Sequence, residues 1–307
     1  MGNIKIAAIL TVHNRREKSV TCLKHLFAAT DTFNQKEKKI EVSVFLTDDG
    51  CTDGTADAIR DALPNKDIHI LKGNGNLFWA GGMRLAWQTA IDSGTAWNYF
   101  LLLNDDTNVR ENLFTELLEA DDYGLSVKGK RGISTGITCQ PGNEERITYG
   151  GFNFANWTKG RKVTVKPTGK PQPVDLVSGN ILFVHKGVVD SIGILYKGFR
   201  HDLADHDYNM TAARHNFPVM ATSHICGECA DDHDSNKDEI LRLKDMTLKK
   251  RKQYLSLVTH SDHDYLLLIR RNLPLRYPMT LVVRAIRLYC PSFYYYINKF
   301  RGIFKED

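Results

Sequence analysis

Three short polar clusters in this chain contain neighbouring aspartates: Asp48-Asp49, Asp105-Asp106 and Asp205-His206-Asp207. The first two each follow a run of apolar residues, so they stand where a buried strand should end. Carboxylate oxygens are the ligands that Mg²⁺ and Mn²⁺ prefer, and these ions often bridge to phosphate groups. A carboxylate at a strand end can also accept a hydrogen bond from the ring N–H of a pyrimidine base. Together the two clusters indicate a site for a nucleoside diphosphate and a divalent cation.

The third cluster offers a candidate general base. Asp205 is placed to draw a proton from an attacking hydroxyl group, while Asp207 supports the helix that follows. The alternative for all three clusters is structural, because aspartate is common in turns and at helix N-termini. Asp106 would then cap a helix that starts near Glu111, and Asp53 or Thr52 would cap the helix after the second strand.

Four potential metal ligands lie within ten residues: His224, Cys226, Cys229 and His233. This spacing is compatible with tetrahedral zinc, but strong zinc patterns contain two C-x₂-C pairs and this chain has one. His224 has a second interpretation, as a third ligand of the metal at Asp106 or as a phosphate contact. Both interpretations stay open at this stage.

The glycine-rich segment 73–82 is not a phosphate-binding loop of a known NTPase type, since no Gly-Lys-Ser or Gly-Lys-Thr follows it. No G-x-G-x-x-G follows the first strand either, which counts against a dinucleotide-binding dehydrogenase. Phe78 and Trp79 are expected to pack in the core rather than to wall a sugar pocket.

The elements that position these residues alternate between strand and helix. The hydrophobic pattern predicts strands at 4–12, 40–50, 67–73 and 98–103 and helices at 17–30, 83–93 and 206–215. Such alternation predicts a parallel, doubly wound sheet, in which ligands bind beyond the carboxyl ends of the strands. His13-Asn14-Arg15 and the first two acidic clusters should therefore converge on one rim. Residues 130–180 should form hairpins or a small mixed sheet.

Charge is distributed unevenly along the 307 residues. Residues 241–307 carry 14 Lys or Arg against 5 Asp or Glu, a net charge of +9, whereas the first 240 residues sum to −4. We therefore expect an α/β domain over 1–240, with a nucleotide-binding half (1–110) and an acceptor-binding half (111–240). A basic helical extension should follow over 241–307.

The extension mixes Arg and Lys with bulky apolar and aromatic residues, as in "RAIRLYCPSFYYYINKFRGIF". A solvated basic helical face is the default interpretation, but this mixture also suits peripheral contact with an anionic inner leaflet. RNA binding fits the charge alone, yet no nucleic-acid module is recognisable, so no nucleic-acid partner is expected. Six scattered cysteines and the lack of a secretory or membrane-spanning segment predict reduced thiols and a cytoplasmic protein.

Six segments, in order, resemble the family 2 glycosyltransferases, particularly the bacterial rhamnosyltransferase-like branch. They are "ILTVHNR", "LTDDGCTDGT", "GNGNLFWAGGMRLAW", "FLLLNDDT", "DLVSGNILFVHKGVVDSIG" and "ADHDYNMTAARHNF". They follow one another in order within residues 5–235. Cys51 stands where Ser is usual, Ala204 where Glu is usual and Arg84 where Asn is common.

The resemblance implies a GT-A fold, a Rossmann-like, mostly parallel sheet flanked by helices, and a divalent cation, Mg²⁺ or Mn²⁺. It implies that Asp205 is the catalytic base and that Asp106 and His224 contact the metal. The nucleotide-binding residues it implies are Thr11, His13, Arg15, Asp48, Asn76 and Asp105. Weaker donor or acceptor contacts are implied for Trp79, Arg84, Gly179, Asn180 and Asp207.

The implied reaction is inverting transfer of a sugar from dTDP-rhamnose or a UDP-sugar to a hydroxyl of a cell-surface glycan, either free or lipid-linked. Two other functions stay open. A nucleotidyltransferase acting on sugar phosphates also uses strand-end carboxylates and a metal, but it usually has a glycine- and lysine-rich phosphate loop near its N-terminus. A non-catalytic nucleotide-sugar binding protein is the third hypothesis.

Overall fold

The computed structural model describes residues 3–36, 39–156, 161–231, 236–260 and 262–300. The chain divides into two compact units. The first comprises Met1–Arg200 and Ala204–Ala230, and the second comprises His201–Leu203 and Asp231–Asp307. Among the residues singled out in the sequence, His233 and the last seven residues of the basic extension lie outside the described part of the chain.

The strands all belong to the first unit. They are β1 (Ile4–Val12), β2 (Ile40–Asp48), β3 (Ile68–Lys72), β4 (Tyr99–Leu103), β5 (Asn108–Val109), β6 (Ile133–Gln140), β7 (Asn143–Tyr149), β8 (Gly151–Asn156), β9 (Arg161–Thr164), β10 (Gln172–Pro173), β11 (Leu176–Val177), β12 (Ile181–His185) and β13 (Val219–Glu228).

Within the described residues, six α-helices belong to the first unit and five to the second. They are α1 (Arg16–Lys36), α2 (Thr55–Ala62), α3 (Phe78–Asp92), α4 (Leu113–Lys128), α5 (Lys186–Ile192), α6 (Ala204–Arg214), α7 (Asn236–Asp245), α8 (Leu248–Tyr254), α9 (His263–Asn272), α10 (Tyr277–Tyr289) and α11 (Pro291–Phe300). Within the described ranges, no helix is both long and apolar enough to pass through a bilayer.

The large sheet has the order β10-β13-β6-β12-β4-β1-β2-β3, with β5 and β7 attached at its side. β1 pairs in parallel with both β2 and β4, and β2 pairs in parallel with β3. β12 runs antiparallel between β4 and β6. The three strands β11, β8 and β9 form a second, small sheet. The expected α/β class with a mostly parallel, helix-flanked sheet is confirmed.

The central strands are strands because both of their faces are covered. β4 is buried at all five positions, and β1 is buried from Ile6 to Leu10. A short apolar run with no polar alternation is typical of a strand in a parallel sheet whose two faces are covered by helices. Consequently, the first polar residues after these strands are also the first that can reach solvent.

Helix α3 begins at Phe78, five residues before the sequence predicted, and packs close to the sheet. A Cβ atom at Gly82 would lie 2.4 Å from Thr11 Cγ2, so only glycine allows this approach. The Thr47 hydroxyl donates to the Gly82 carbonyl at 2.8 Å.

Candidate active site

The loops after β1 and β2 are tied to each other at the carboxyl edge of the sheet. His13 Nδ1 lies 2.8 Å from the Asp49 carbonyl oxygen, and Asn14 Oδ1 accepts from the Thr52 backbone N–H at 2.7 Å. Asn14 has a φ of +51°, a left-handed conformation that asparagine tolerates better than most residues. This turn directs the next residue, Arg15, towards the end of β4.

Arg15 lies against the acidic pair that follows β4. Its Nη1 atom is 3.2 Å from Asp105 Oδ1 and 2.7 Å from Asp106 Oδ2. The Ser19 hydroxyl donates to Asp105 Oδ2 at 2.9 Å. The start of α1 therefore meets the end of β4 at Asp105 and Asp106, and the guanidinium group offsets much of the repulsion between the two carboxylates.

The two carboxylates differ in exposure. Asp105 is buried, and this burial, with the neighbouring Asp106 adding to it, raises the pKa of Asp105 to about 6 although Arg15 opposes the rise. The Asp106 side chain is 19% exposed. Asp106 is therefore the member of the pair that an incoming ligand reaches.

Asp106 also faces a thiol from the end of β13. Cys229 Sγ lies 3.7 Å from Asp106 Oδ1, and Asn180 Nδ2 lies 3.4 Å from the same sulfur. The backbone oxygen of Asn180 accepts from the Asn104 N–H at 3.1 Å. These contacts join the acidic pair to the segment that precedes β12.

The backbone of that segment also contacts Asp205. Gly179 N–H donates to Asp205 Oδ2 at 2.6 Å, and His206 N–H donates to Asp205 Oδ1 at 2.8 Å. Burial opposes ionisation of Asp205, but the nearby His206 ring and these two donors outweigh it, so the pKa of Asp205 lies below its ordinary value. Asp205 is therefore a carboxylate that stays ionised although its side chain is only 14% exposed.

Trp79 lies between the two carboxylate regions. Its indole N–H donates to Asn104 Oδ1 at 2.8 Å, next to the acidic pair. A Cβ atom at Gly179 would lie 2.6 Å from Trp79 Cζ2 and 3.3 Å from Asp205 Oδ2. The indole ring is half-buried rather than enclosed in the core, and it lies beside Gly179, which also borders Asp205.

The neighbouring residues Asp48 and Asp49 have different surroundings. Asp49 is buried and accepts backbone N–H groups of Gly75, Leu77 and Phe78 at 2.8 to 2.9 Å, so it holds the glycine-rich segment in place. Asp48 is half-buried, and its Oδ1 accepts from the Cys51 N–H at 2.7 Å. Because Asp48 is half-buried whereas Asp49 is enclosed, Asp48 is the member of this pair that faces the rim.

Several other predicted site residues make contacts of a different kind. Asn76 is exposed on the glycine-rich segment, where its N–H donates to Asn74 Oδ1. Thr11 packs under α3 against Gly82. Arg84 donates to the Phe199 carbonyl at 2.9 Å, and Asp207 is buried in α6. These contacts position elements of the first unit, and none of them involves the acidic pair.

His224 is bonded to helix α4. Its Nδ1 lies 2.7 Å from Glu116 Oε1, and its N–H donates to Glu116 Oε2 at 3.0 Å. Cys229, five residues further along the same chain segment, is the residue that reaches Asp106. The structure therefore gives no support to His224 as a ligand of a metal at Asp106.

The zinc interpretation gains no support from the described residues. The Cys226 thiol donates to Thr222 Oγ1 and is buried, whereas Cys229 faces Asp106. Among the residues that the structure describes, no three His, Cys, Asp or Glu side chains are grouped to hold a metal ion.

The N-cap residues of α2 and α4 also differ from those that the structural alternative placed there. Helix α2 has Gly54 at its N-cap, with no side-chain cap. Asp53 instead accepts N–H groups from two helices, Thr55 of α2 at 3.0 Å and Arg16 of α1 at 3.1 Å. Asn112, not an aspartate, occupies the N-cap of α4.

Sequence reasoning missed Ser19 and Glu116, assigned no separate role to Asn104, and considered Cys229 only as a possible zinc ligand. The position of Ser19 was readable, since it lies one helical turn after Arg15 on α1. Asn104 precedes the acidic pair directly. The contacts of Glu116 and Cys229 depend on how β13 packs, which no local pattern indicates.

The fold and the carboxyl edge of its large sheet define an α/β protein of the GT-A type, with carboxylates from separate segments gathered at the ends of its strands. The sequence profile of the family described as Glycosyl transferase family 2 matches residues 7–162, so the chain belongs to that family. Curated protein sequences include no significant match to it.

Two solved structures are similar in fold. A mannosyltransferase from Pyrobaculum calidifontis, solved with GDP-Man and Mn²⁺, aligns with 99% of this chain and 82% of its own, with a TM-score of 0.53 and 11% identity. TarS 1–349 from S. aureus aligns with 94% of this chain and 75% of its own, with a TM-score of 0.50 and 12% identity.

Proposed function

We propose that this protein is an inverting, metal-dependent glycosyltransferase that moves a sugar from a nucleoside-diphosphate donor to a hydroxyl group of a glycan acceptor. One observation supports the proposal most directly. Asp205, held ionised by Gly179 and His206, belongs to the same network of contacts as Asp105 and Asp106. A base and an anion-binding cation site within one network are what glycosyl transfer to a hydroxyl requires.

The acidic pair fits a hard divalent cation. Asp105 and Asp106 supply carboxylate oxygens, and two protein ligands with the rest from substrate phosphates is a common arrangement for Mg²⁺. Asp106 would ligate the ion and Asp105 would contact the ribose or the ion. A bound Mg²⁺ or Mn²⁺ would stabilise negative charge on the departing diphosphate. The mannosyltransferase of similar fold was solved with Mn²⁺ and GDP-Man.

The residues of the site would then have separate roles in binding and transfer. Asp48 would accept a hydrogen bond from the base, and His13 and Asn76 would line the nucleotide site. Arg15, which now neutralises the acidic pair, would turn towards the diphosphate when a cation takes its place. Asp205 would accept the proton of the acceptor hydroxyl as that oxygen attacks the anomeric carbon opposite the leaving diphosphate, and a single displacement inverts its configuration.

Donor binding tests the cation site. With Mn²⁺ present, a nucleotide-sugar of the correct class should raise the melting temperature of the wild-type protein, and EDTA should abolish the rise. Asp106→Ala should remove the Mn²⁺-dependent part of the shift, whereas Asp57→Ala, a change at an exposed ion pair with Arg60, should keep it. An undiminished, EDTA-sensitive shift in Asp106→Ala would remove Asp106 from the cation site.

The same screen separates the other two functions. A nucleotidyltransferase would release pyrophosphate from a nucleoside triphosphate and a sugar phosphate. A binding protein would show the thermal shift but neither transfer nor donor hydrolysis. The donors to be compared are dTDP-rhamnose, UDP-hexoses, UDP-N-acetylhexosamines and GDP-mannose.

The finer assignments come from the resemblance described above. They are a rhamnosyltransferase-like specificity, a growing cell-surface glycan as acceptor and a cytoplasmic protein that works at the inner face of the membrane. Mass spectrometry of products formed from lipid-linked and free glycan acceptors would test the acceptor class.

A further inference from the structure

Helix α10 directs its polar side chains into the second unit. Thr280, Arg284 and Arg287 recur at intervals of four and three residues, so they share one helical face. Thr280 and Arg287 are buried. Arg287 lies 2.7 Å from Asp262 Oδ1 and 2.6 Å from Glu239 Oε1, and Arg284 lies 2.8 Å from the same Asp262 oxygen. The inner face of this helix is therefore held by ion pairs.

The opposite face is apolar and exposed. Met279, Val282 and Tyr289 follow the same helical period, and they are 67%, 54% and 57% exposed. On α11, Phe293 and Tyr296 lie three residues apart and are 57% and 59% exposed. A helix of a soluble protein normally buries its apolar stripe and exposes its charges, so α10 is reversed. We call these five residues the exposed apolar face.

The charge around this face indicates which surface covers it. Residues 241–307 have a net charge of +9. Among the described acidic residues of this unit, Asp262 and Glu239 are already engaged by arginines. Aromatic side chains next to an excess of Lys and Arg are typical of helices that lie in the interface of an anionic bilayer. A protein partner would need no such cationic surplus.

The lengths of the two helices agree with an orientation parallel to the membrane surface. α10 has 13 residues and α11 has 10, which correspond to about 20 and 15 Å. A hydrocarbon core is about 30 Å thick, so each helix matches the shallow interfacial zone better than the full core.

We propose that the exposed apolar face docks on the surface of an anionic lipid bilayer. The inference does not depend on the proposed transfer activity, because none of the five residues belongs to the acidic site. The sequence analysis considered membrane contact for the whole basic extension, whereas this proposal assigns the contact to one face of α10 and α11.

Vesicle flotation with the full-length protein tests the proposal. Wild type should float with vesicles of phosphatidylcholine containing about 30% phosphatidylglycerol and much less with phosphatidylcholine alone. Met279→Glu/Val282→Glu/Phe293→Glu should weaken binding at least about tenfold, since three apolar side chains would no longer enter the interface.

A matched control keeps the change of charge the same. Tyr123, Leu125 and Val127 are also exposed apolar residues, but they lie on α4 of the first unit. The triple glutamate variant at these positions should float like wild type. Circular dichroism and donor transfer to a soluble acceptor should be unchanged in both variants, so a failure of docking is distinguishable from a failure of the proposed enzyme activity.

A second measurement covers the case in which the triple variant does not fold. Cys290 is the exposed cysteine among the six and joins α10 to α11. An environment-sensitive fluorophore on Cys290 of otherwise wild-type protein should shift its emission to the blue on addition of anionic vesicles. Wild type that does not float, a folded triple variant that floats equally well, or a fluorophore that does not respond would overturn the proposal. So would a wild-type dimer that the triple variant splits while neither binds vesicles, since the face would then serve a second copy.

Discussion

Asp105 and Asp205 are both enclosed carboxyl groups, but their surroundings move their pKa values in opposite directions. Burial and the neighbouring Asp106 raise the pKa of Asp105 to about 6. Burial acts on Asp205 too, yet His206 and the Gly179 N–H outweigh it and lower the pKa. At neutral pH, Asp205 is therefore ionised and available as a proton acceptor. The ionised form of Asp105 is disfavoured by burial and by Asp106, and a bound cation would stabilise it.

Replacing Asp205 with Asn should lower the rate of transfer by about 10² to 10⁴-fold, because general-base catalysis contributes on that order. Donor affinity should be unchanged, since the amide oxygen can still accept one of the two backbone donors. Steady-state kinetics and donor titration measure the two quantities separately. Asp57→Asn serves as the exposed control, and wild-type turnover in Asp205→Asn would remove this residue from the mechanism.

Asp105 should make the stability of the metal-free protein depend on pH. Its folded pKa of about 6 lies above the unfolded value of about 3.9, so the folded state binds the proton more tightly. The resulting stabilisation is present below about pH 4 and is lost as the pH rises through about 6, a change of about 3 kcal/mol.

Urea unfolding in EDTA between pH 4.5 and 7.5 measures this effect. Asp105→Asn should be less sensitive to pH than wild type over that range, and Asp57→Asn should follow wild type. Parallel curves for wild type and Asp105→Asn would show that the carboxyl group is not perturbed.

At the scale of elements, the site depends on how closely α3 approaches β1. Gly82 sits against Thr11, and Asp49 fixes the segment that leads into the helix at Phe78, whose φ of +54° is unfavourable for a bulky residue. Three backbone hydrogen bonds to one buried carboxylate offset that strain. The placement of Trp79, the next residue, follows from the same bonds.

Gly82→Ala should therefore destabilise the protein by about 1–3 kcal/mol, because the new methyl group would overlap Thr11. Gly81→Ala is the matched control on the same helix. Its Cβ would meet Leu77 Cβ at 3.2 Å, a milder contact that the helical preference of alanine helps to offset. Denaturant unfolding compares the two, and equal stabilities would show that the sheet and helix adjust freely at Thr11.

At the scale of the whole molecule, the interior of each unit is stabilised by different interactions. The first has an apolar core that runs through β1, β2 and β4. In the second, Arg287 is buried between Asp262 and Glu239, so charge pairing has a larger part in its interior. Breaking such a pair leaves charges without a partner, which costs more than the pair itself contributes.

Arg287→Met should lower the free energy of unfolding of the second unit by about 2 kcal/mol, the order expected for polar groups left unsatisfied. Hydrogen exchange should then become faster in α7, α9 and α10. Arg60→Met removes an exposed pair with Asp57 and should change stability by less than about 1 kcal/mol. Unaltered exchange in Arg287→Met would show that the ion pairs do not stabilise this unit.

Much of the fold was predictable from local pattern. β1 was predicted within its observed bounds, and β2, β3 and β4 lie within one or two residues of expectation, because a short apolar run bounded by turn residues favours a covered strand. The convergence of the clusters at 13–15, 48–49 and 105–106 followed from the geometry of parallel strands. The start of α3 and the caps of α2 and α4 were wrong, since they depend on packing rather than on local sequence.

The sequence by itself determined the family, the α/β architecture and the acidic residues at the strand ends, because periodicity and ordered motifs are local properties. Only the tertiary structure decided that Cys229 lies against Asp106 and His224 against Glu116, that Arg15 neutralises the acidic pair, and that α10 exposes its apolar side. Each of these depends on contacts between residues far apart in the chain. Such contacts are selected by packing and charge pairing in three dimensions, which leave no periodic signal in the sequence.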